Sequence, residues 1–403
     1  MRLHEVGVEN GRGTSRLTGR VERANGERFE LFFEFGGAMP GDLYPCADAF
    51  VPALLVPAML DGEPLESDLP VSPRLLRQTE RVQGILSMWY PELRRVAVEM
   101  PGRAEPIGRG DAVCSFFSAG VDSFYTALKS QRGLVPPEPL THLLFMRGFD
   151  AGLHQLDTLR ESEDHVRRIG ERLGIPVITG ASNVRDHMVC MWPEAYQGAA
   201  LGAAGLALTG VAGRVLIPAS HTYPELGIPW GSHPLLDESW TSESVSFLHE
   251  GCETYRYDKI AAIAGWDPAS LDELRVCLSV DGAPENCGRC FKCVRTMVVL
   301  AGLGRLGVKS FPPALPENYV QLIRKDRPQW RRELLHMARG PLGERVPGLR
   351  RALERMERGQ QWREVFRSIA KLTGLHPVAK DAVDGIRSIR DRGANGLTGT
   401  TLH

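Results

Sequence analysis

No stretch of this 403-residue chain is apolar for long enough to span a bilayer. The most apolar run, Gly198 to Val211, is short and rich in Ala and Gly, and it reads as a buried helix. The first ten residues are polar and carry no signal-peptide pattern. A membrane role is therefore not expected, and a cytoplasmic protein is. Excess charge is missing too. The formal net charge of −1 gives no whole-molecule attraction for nucleic acid. Eight cysteines in a reducing compartment are expected to be free thiols or metal ligands rather than disulfides. Hydrophobic content of 43% and charged content of 24% place the chain among ordinary soluble globular proteins, and its length suits two or three units.

A Gly-Lys-Ser/Thr phosphate loop is also absent. In its place stands Ala112 to Ser130: a continuous apolar strand, a loop of small residues, then a helix. The loop is Ser118-Ala119-Gly120-Val121-Asp122-Ser123. Small side chains let backbone approach an anion closely. Ser118 and Ser123 add hydroxyls, and the helix aims free N–H groups at the same place. Asp122 is either a magnesium ligand or the helix N-cap.

The organisation follows from periodicity and turn signals. Residues 1–108 read as a separate small α/β unit. Arg16–Glu22 and Glu27–Phe35 are expected to pair across the turn Ala24-Asn25-Gly26. Ala49–Met59 is a strand or a short helix. Ser72 and Pro73 open a helix running to about Tyr90, and Arg94–Met100 closes the unit as a strand. No catalytic constellation appears here, so a packing or recognition module is expected, with the aromatic strand Phe29–Phe35 as an optional partner surface. Residues 109–309 alternate strand and helix. Strands are expected at Ala112, Leu140–Met146, Pro176–Thr179 and Arg214–Pro218, with helices at His154–Leu173 and Glu194–Thr209. Such a parallel sheet binds its ligand at the strand C-terminal ends, which gathers 118–123, 146–150, 181–186 and 219–223 round one crevice. Residues 310–392 read as wholly helical. From Arg324 to Arg392 basic residues outnumber acidic ones by roughly two to one, a solvated cap or a face for RNA or an acidic protein. Residues 393–403 are expected to be disordered.

Cys277 is followed, after nine intervening residues, by Cys287-Gly288-Arg289-Cys290-Phe291-Lys292-Cys293. Four thiolates within so short a reach can wrap a tetrahedral ion. A closed four-sulfur site favours structural zinc, with an iron–sulfur cluster as the rival.

The loop resembles that of the PP-loop ATP pyrophosphatases, Ser-Gly-Gly-x-Asp-Ser, with Ala119 replacing a glycine. Loop and cysteines together, with Gly288 and Arg295 in register, are similar to the 7-cyano-7-deazaguanine synthases, the QueC family. The resemblance spans about Ala112 to Leu300, near half of the chain. It implies an adenine nucleotide alpha hydrolase-like, Rossmann-like core that splits ATP between the α and β phosphates. The acid would be adenylated, and AMP then displaced by ammonia or an amine. It further implies a pyrophosphate grip by Ser118, Ala119, Gly120, Val121, Asp122 and Ser123, adenine contact at Met146, and ATP, Mg2+ and Zn2+ as cofactors. The implied acceptor is a 7-deazaguanine-type acid, and the implied product is a nitrile, an amide or a protein adduct. A partner from an anti-phage defence operon and a homodimer fit the same resemblance.

The synthases' Tyr-Pro-Asp-Cys-Arg substrate segment is absent. Its place falls to Ser220–Glu243, a proline-containing loop holding His221, Tyr223, Trp230, His233, Asp237, Trp240 and Glu243. Rings for stacking and carboxylates for a guanine-like edge make it the expected acceptor pocket. Arg256 and Lys259 open the next helix. Lys259 is the expected cation for the leaving group, a role the lysine-free loop lacks. Two other readings stand beside this one: a PP-loop tRNA-modifying or thiolating enzyme, and a catalytically weak nucleotide-binding scaffold.

Overall fold

A computed structural model describes residues 1–37, 43–105, 107–108, 110–134, 139–187, 191–277, 286–324, 327–346 and 348–359. Its frame is one ten-stranded sheet ordered β10-β9-β6-β7-β8-β3-β2-β1-β4-β5. The strands are β1 (Arg2–Asn10), β2 (Thr14–Glu22), β3 (Arg28–Gly36), β4 (Leu65–Glu66) and β5 (Val98–Glu99), then β6 (Ala112–Phe116), β7 (His142–Arg147), β8 (Val177–Ser182), β9 (Ala212–Pro218) and β10 (Ser246–Glu250). Six of the nine pairings are parallel; β1–β2, β2–β3 and β3–β8 are antiparallel.

The parallel half, β6 to β10, has the Rossmann-like order third-second-first-fourth-fifth in chain sequence. β6 lies between β7 and β9, so strand order reverses beside it. That switch point opens a crevice outside the carboxyl ends of β6 and β9. All five residues of β6 are buried, as its unbroken apolar run predicts for a strand covered on both faces.

The first 108 residues do not stand apart as expected. β3 pairs with β8 from Phe33 opposite Ser182 to Gly36 opposite Thr179, so the Asn25-Gly26 hairpin extends the same sheet. The chain is one compact unit from Met1 to Tyr319. β3 therefore has a neighbour on each side and offers no free edge. Phe33 and Phe35 are fully buried, Phe29 stacks on His187, and Arg16 lies over Phe32. Packing rather than partner binding accounts for the aromatic strand.

The helices of this unit are α1 (Phe50–Asp61), α2 (Pro73–Trp89), α3 (Val121–Gln131), α4 (Leu156–Leu173), α5 (Gln197–Ala207), α6 (Pro234–Asp237), α7 (Arg256–Trp266) and α8 (Phe291–Gly302). α1 settles the ambiguous apolar run as a helix, because it is buried nearly all round and touches α5. The Tyr196 hydroxyl donates to Ala53 O at 2.7 Å across that contact. α2 begins as its sequence predicts: Ser72 Oγ accepts from Leu75 N at 3.0 Å with Pro73 in the first turn. α4 ends at Gly174, which takes the left-handed conformation. The strand expected over Arg94–Met100 shrinks to two residues, Val98–Glu99. The helix expected from Glu194 begins instead with a π turn, Trp192–Tyr196.

From Val320 the chain forms a second unit. It holds α9 (Tyr319–Arg324), α10 (Pro328–Arg339), a 3-10 turn at Pro341–Arg345 and a helix over 349–359. Leu334, Leu335, Leu349 and Leu353 make its core, and Arg339 reaches Glu357 at 3.6 Å. The expected tail, and the helix beyond 359, lie outside the described residues. Among the described residues no helix is long and apolar enough to cross a membrane.

Candidate functional site

A cavity of about 160 Å³ sits at the switch point. One side is the loop after β6, with Ser118, Gly120, Asp122 and Ser123 on its wall. Phe116, Leu144, Met146, Phe149, Leu201 and Ile217 give an apolar lining, and Gln197, Ser220 and Ser232 give a second polar side. The expected loop residues, Met146 and the start of 219–223 thus meet in one place. Residues 181–186 do not line it. Asn183 is instead tied to the hairpin, accepting from Phe32 N at 2.9 Å and donating to Glu30 O at 2.7 Å. Arg185 holds the loop after β7 through the carbonyls of Phe149 and Asp150.

The turn into α3 is tight. Ala119 is fully buried with φ of 57°, the left-handed region that glycine enters freely and alanine enters at a cost of about 1 kcal/mol. Arg275 N donates to Ala119 O at 2.8 Å and fixes it. Gly120 is the cap residue, and Val121 and Asp122 lie in the first turn with their N–H groups toward the loop. Ser123 Oγ donates back to Gly120 O at 3.0 Å.

Asp122 is neither the helix cap nor an open metal ligand. One oxygen accepts from Arg256 Nη1 and the other from Lys259 Nζ at 3.1 Å. Burial alone would raise its pKa. The charge of Arg256, then that of Lys259, then that of Arg295 overcome burial and hold the carboxyl well below the usual range. Lys259 is 2% exposed, so it is not a surface helix residue. Its ammonium also donates to Ala219 O at 2.6 Å and lies over the Tyr125 ring. Gly251, with φ of 104°, leaves the room: a Cβ there would meet Lys259 Nζ at 3.3 Å. Lys292 stands in the same field. Burial, then repulsion from Arg256, pulls its pKa down. Two cations of α7 thus bond one carboxylate in the first turn of α3, and Lys292 and Arg295 of α8 add to the field there. The arrangement suits a multivalent anion.

The segment 220–243 does not converge as expected. Ser220 and Ser232 reach the cavity wall. His221 is buried edge-on to Trp230, with Nδ1 3.7 Å from Glu225 Oε2. Tyr223 opens a 3-10 turn and is 59% exposed. His233 caps α6: Nδ1 accepts from Leu235 N at 3.1 Å, so Nε2 carries the proton toward Leu226 O. Asp237 is fully buried and pairs with His249 Nδ1 at 2.7 Å. Burial would depress the His249 pKa, but Asp237, aided by Cys252, lifts it to about 9. Trp240 is core, pressed against Gly202 of α5, where a Cβ would meet the indole at 2.7 Å. Glu243 is outside the cavity; it accepts from Ser72 Oγ and from Arg74 N at 2.8 Å, finishing the cap of α2. His249, Gln197 and Ser232 were missed. Ser232 lies inside the segment expected to form the pocket, whereas Gln197 at the start of α5 and His249 in β10 carry no local signal.

The four cysteines meet as their spacing predicts. The sulfurs of Cys277, Cys287, Cys290 and Cys293 lie within 4.8 Å of one another, with Cys277–Cys290 and Cys287–Cys293 both at 3.9 Å. A tetrahedron of thiolates about 2.3 Å from zinc has edges of about 3.8 Å, and a disulfide would be near 2 Å. The set could hold a metal ion such as zinc. Backbone N–H groups of Cys290 and Cys293 point at the sulfurs of Cys287 and Cys290, at 3.3 and 3.5 Å. Gly288 has φ of 67° and packs under Pro312. Buried Asn286 fastens the two halves. Its Oδ1 accepts from Val276 N and Cys277 N at 2.8 and 3.1 Å, and its Nδ2 donates to Leu274 O and Ser310 O at 2.7 and 2.8 Å. Its role depends on contacts no local motif encodes.

Comparison of the chain with protein-family models, with curated proteins and with solved structures finds no match in any of the three.

Proposed function

We propose that the protein is an ATP-dependent enzyme with a PP-loop core that adenylates a 7-deazaguanine-type acid, releasing pyrophosphate, and passes the acyl group from AMP to ammonia or an amine. The observation that carries this reading is the buried cation cluster at the loop. Arg256 and Lys259 are locked onto Asp122 beside the α3 N-terminus, next to an apolar cavity lined by Met146. A loop that splits ATP at the α phosphorus must stabilise a departing pyrophosphate, and buried cations set beforehand do this at no reorganisation cost. The resemblance of 118–123 and of the cysteine segment to the 7-cyano-7-deazaguanine synthases supplies the acid. The left-handed Ala119 favours this reading over an inert scaffold, since the loop keeps the backbone form a glycine would give it.

In this reading the N–H groups of Val121, Asp122 and Ser123, with the Ser118 hydroxyl, bind the β and γ phosphates. Lys259 and Arg256 take up the charge that develops on the leaving oxygen, while Asp122 holds both in place. Met146 and Phe149 flank the adenine. Magnesium would neutralise the phosphates. Asp122 has both oxygens committed to cations, so Asp150, an exposed carboxylate on the cavity wall, is the residue that fits a magnesium contact. Zinc at the four cysteines would be structural, because four protein sulfurs leave no position for a reactant. The cations bound to Asp122 also fit RNA phosphate, but the cavity beside them holds only about 160 Å³, so the small acid is preferred.

The test is to incubate the protein with ATP, Mg2+ and 7-carboxy-7-deazaguanine, alone and with neighbouring gene products, and to analyse nucleotides and masses together. AMP and pyrophosphate should appear with a nucleobase or a protein of altered mass. ADP with phosphate, or unchanged ATP under all conditions, would overturn the reading.

A further inference from the structure

The second polar side of the cavity is assembled by two glycines. Gly198 N donates to Gly231 O at 3.2 Å. A Cβ on Gly198 would lie 2.2 Å from Gly231 O and 2.3 Å from Asp237 Oδ1, and one on Gly231 would lie 2.9 Å from Tyr196 N. Only glycines permit this backbone contact. It brings Ser232 and Gln197, far apart in sequence, onto the same wall.

The polarity of that wall is set from behind. Ser232 Oγ donates to Asp237 Oδ2 at 2.8 Å, and the same oxygen takes the His249 Nδ1 contact at 2.7 Å. With its proton committed to the buried carboxylate, Ser232 shows the cavity only lone pairs. Gln197 makes no side-chain hydrogen bond among the described residues, so its amide offers both a carbonyl and an NH2 group. It is the first residue of α5 and follows a π turn whose leading residue, Met191, has φ of 59°. Such turns and strained residues concentrate where a side chain must be aimed. Beside this wall lie Leu201 and Ile217, which suit the face of a flat ring and leave Met146 and Phe149 to the adenine.

We infer that Gln197 and Ser232 are specificity residues reading the hydrogen-bonding edge of a flat heterocyclic acid. Ser232 accepts from a ring N–H, and Gln197 pairs with the adjoining carbonyl and amine. This assignment rests on the adenylation reading given above.

The experiment measures binding of 7-carboxy-7-deazaguanine and, separately, of AMP to the full chain and to its Gln197→Leu and Ser232→Ala variants, with thermal melts to confirm folding. Each variant should bind the acid about tenfold more weakly, the effect of about one lost hydrogen bond, and bind AMP as the parent does. Parent-like acid binding by both variants overturns the assignment and leaves the adenylation reading intact. Loss of AMP affinity instead of acid affinity gives the wall to the nucleotide and overturns it too. A parent chain that binds AMP but not the acid overturns the lactam assignment alone. A parent chain that binds neither overturns both readings.

Discussion

The two polar sides of the cavity are built in different ways. The loop side comes from one run of six residues, and two cations of α7 are tied to it through a single carboxylate, Asp122. The α5 side has no run at all. It is made by Gln197, Ser220 and Ser232; Gln197 and Ser232 are brought together by a glycine–glycine contact, and Ser232 is held by the buried Asp237 that pairs with His249. A charged, locally encoded side suits a ligand group common to many enzymes, which the proposal takes to be phosphate. A neutral side assembled from distant residues can change its ligand without disturbing the phosphate chemistry. Under the adenylation proposal, the loop side of the cavity activates and the α5 side selects.

That contrast can be broken at several points. The largest effect should come from the four-cysteine site next to the loop side. Arg275 holds Ala119 and lies two residues before Cys277, so losing the metal should loosen the phosphate loop as well as the cysteine turn. Elemental analysis should find about one zinc per chain, and the protein should be colourless. Chelation or Cys290→Ser should destabilise the chain by several kcal/mol in denaturant titrations. A visible absorbance band would replace zinc by an iron–sulfur cluster. Asn286→Ala should weaken metal affinity about 10- to 100-fold, since the amide orients two ligand-bearing segments.

Next comes the framework behind the selecting side. Trp240→Ala should cost about 3–5 kcal/mol in stability, because this indole is core and no ligand contact. The Asp237–His249 pair gives this side a pH signature. Its folded pKa, about 9, lies above the ordinary histidine value, so the pair's contribution is fully present below about pH 6.5 and is lost as pH rises through 9. Between those limits the chain should lose on the order of 3 kcal/mol from this pair. Denaturation midpoints of the parent and of His249→Gln across that range would show the slope in the first and its absence in the second. The smallest effect should be Ala119→Gly. Relief of a left-handed alanine is offset by greater freedom in the unfolded chain, so stability should change by under about 1 kcal/mol and pyrophosphate affinity little.

The same contrast explains what could be read from the sequence. Strands β6 to β9, the loop and the four cysteines were legible because each is signalled within a few residues, by an apolar run, a small-residue turn or a Cys-x-x-Cys spacing. The pairing of β3 with β8 was not, since a hairpin's outer neighbour leaves no mark on its own residues. β1 and β10 were missed because neither carries a clean signal: β1 mixes Arg2, His4, Glu5 and Glu9 with its apolar residues without alternation, and β10 is only Ser246–Glu250, a short run with His249 and Glu250 in it. In Ser220–Glu243 the residue types were read correctly as a crowded polar and aromatic loop, but their directions were not. Trp240 turns into the core, Glu243 reaches 171 positions back to cap α2, and the small serines reach the cavity. Composition favours large aromatic rings as ligand contacts. Packing decided otherwise, because the space beside α5 is filled by Trp240.

The central claim is that the loop side adenylates an acid, with Lys259 taking up the leaving charge. Acid-dependent exchange of labelled pyrophosphate into ATP tests it most directly, because exchange requires reversible adenylation and no amine acceptor. The account predicts exchange that needs 7-carboxy-7-deazaguanine and falls about 100-fold in Lys259→Ala. No exchange with the acid present, or an unchanged rate in Lys259→Ala, would contradict it.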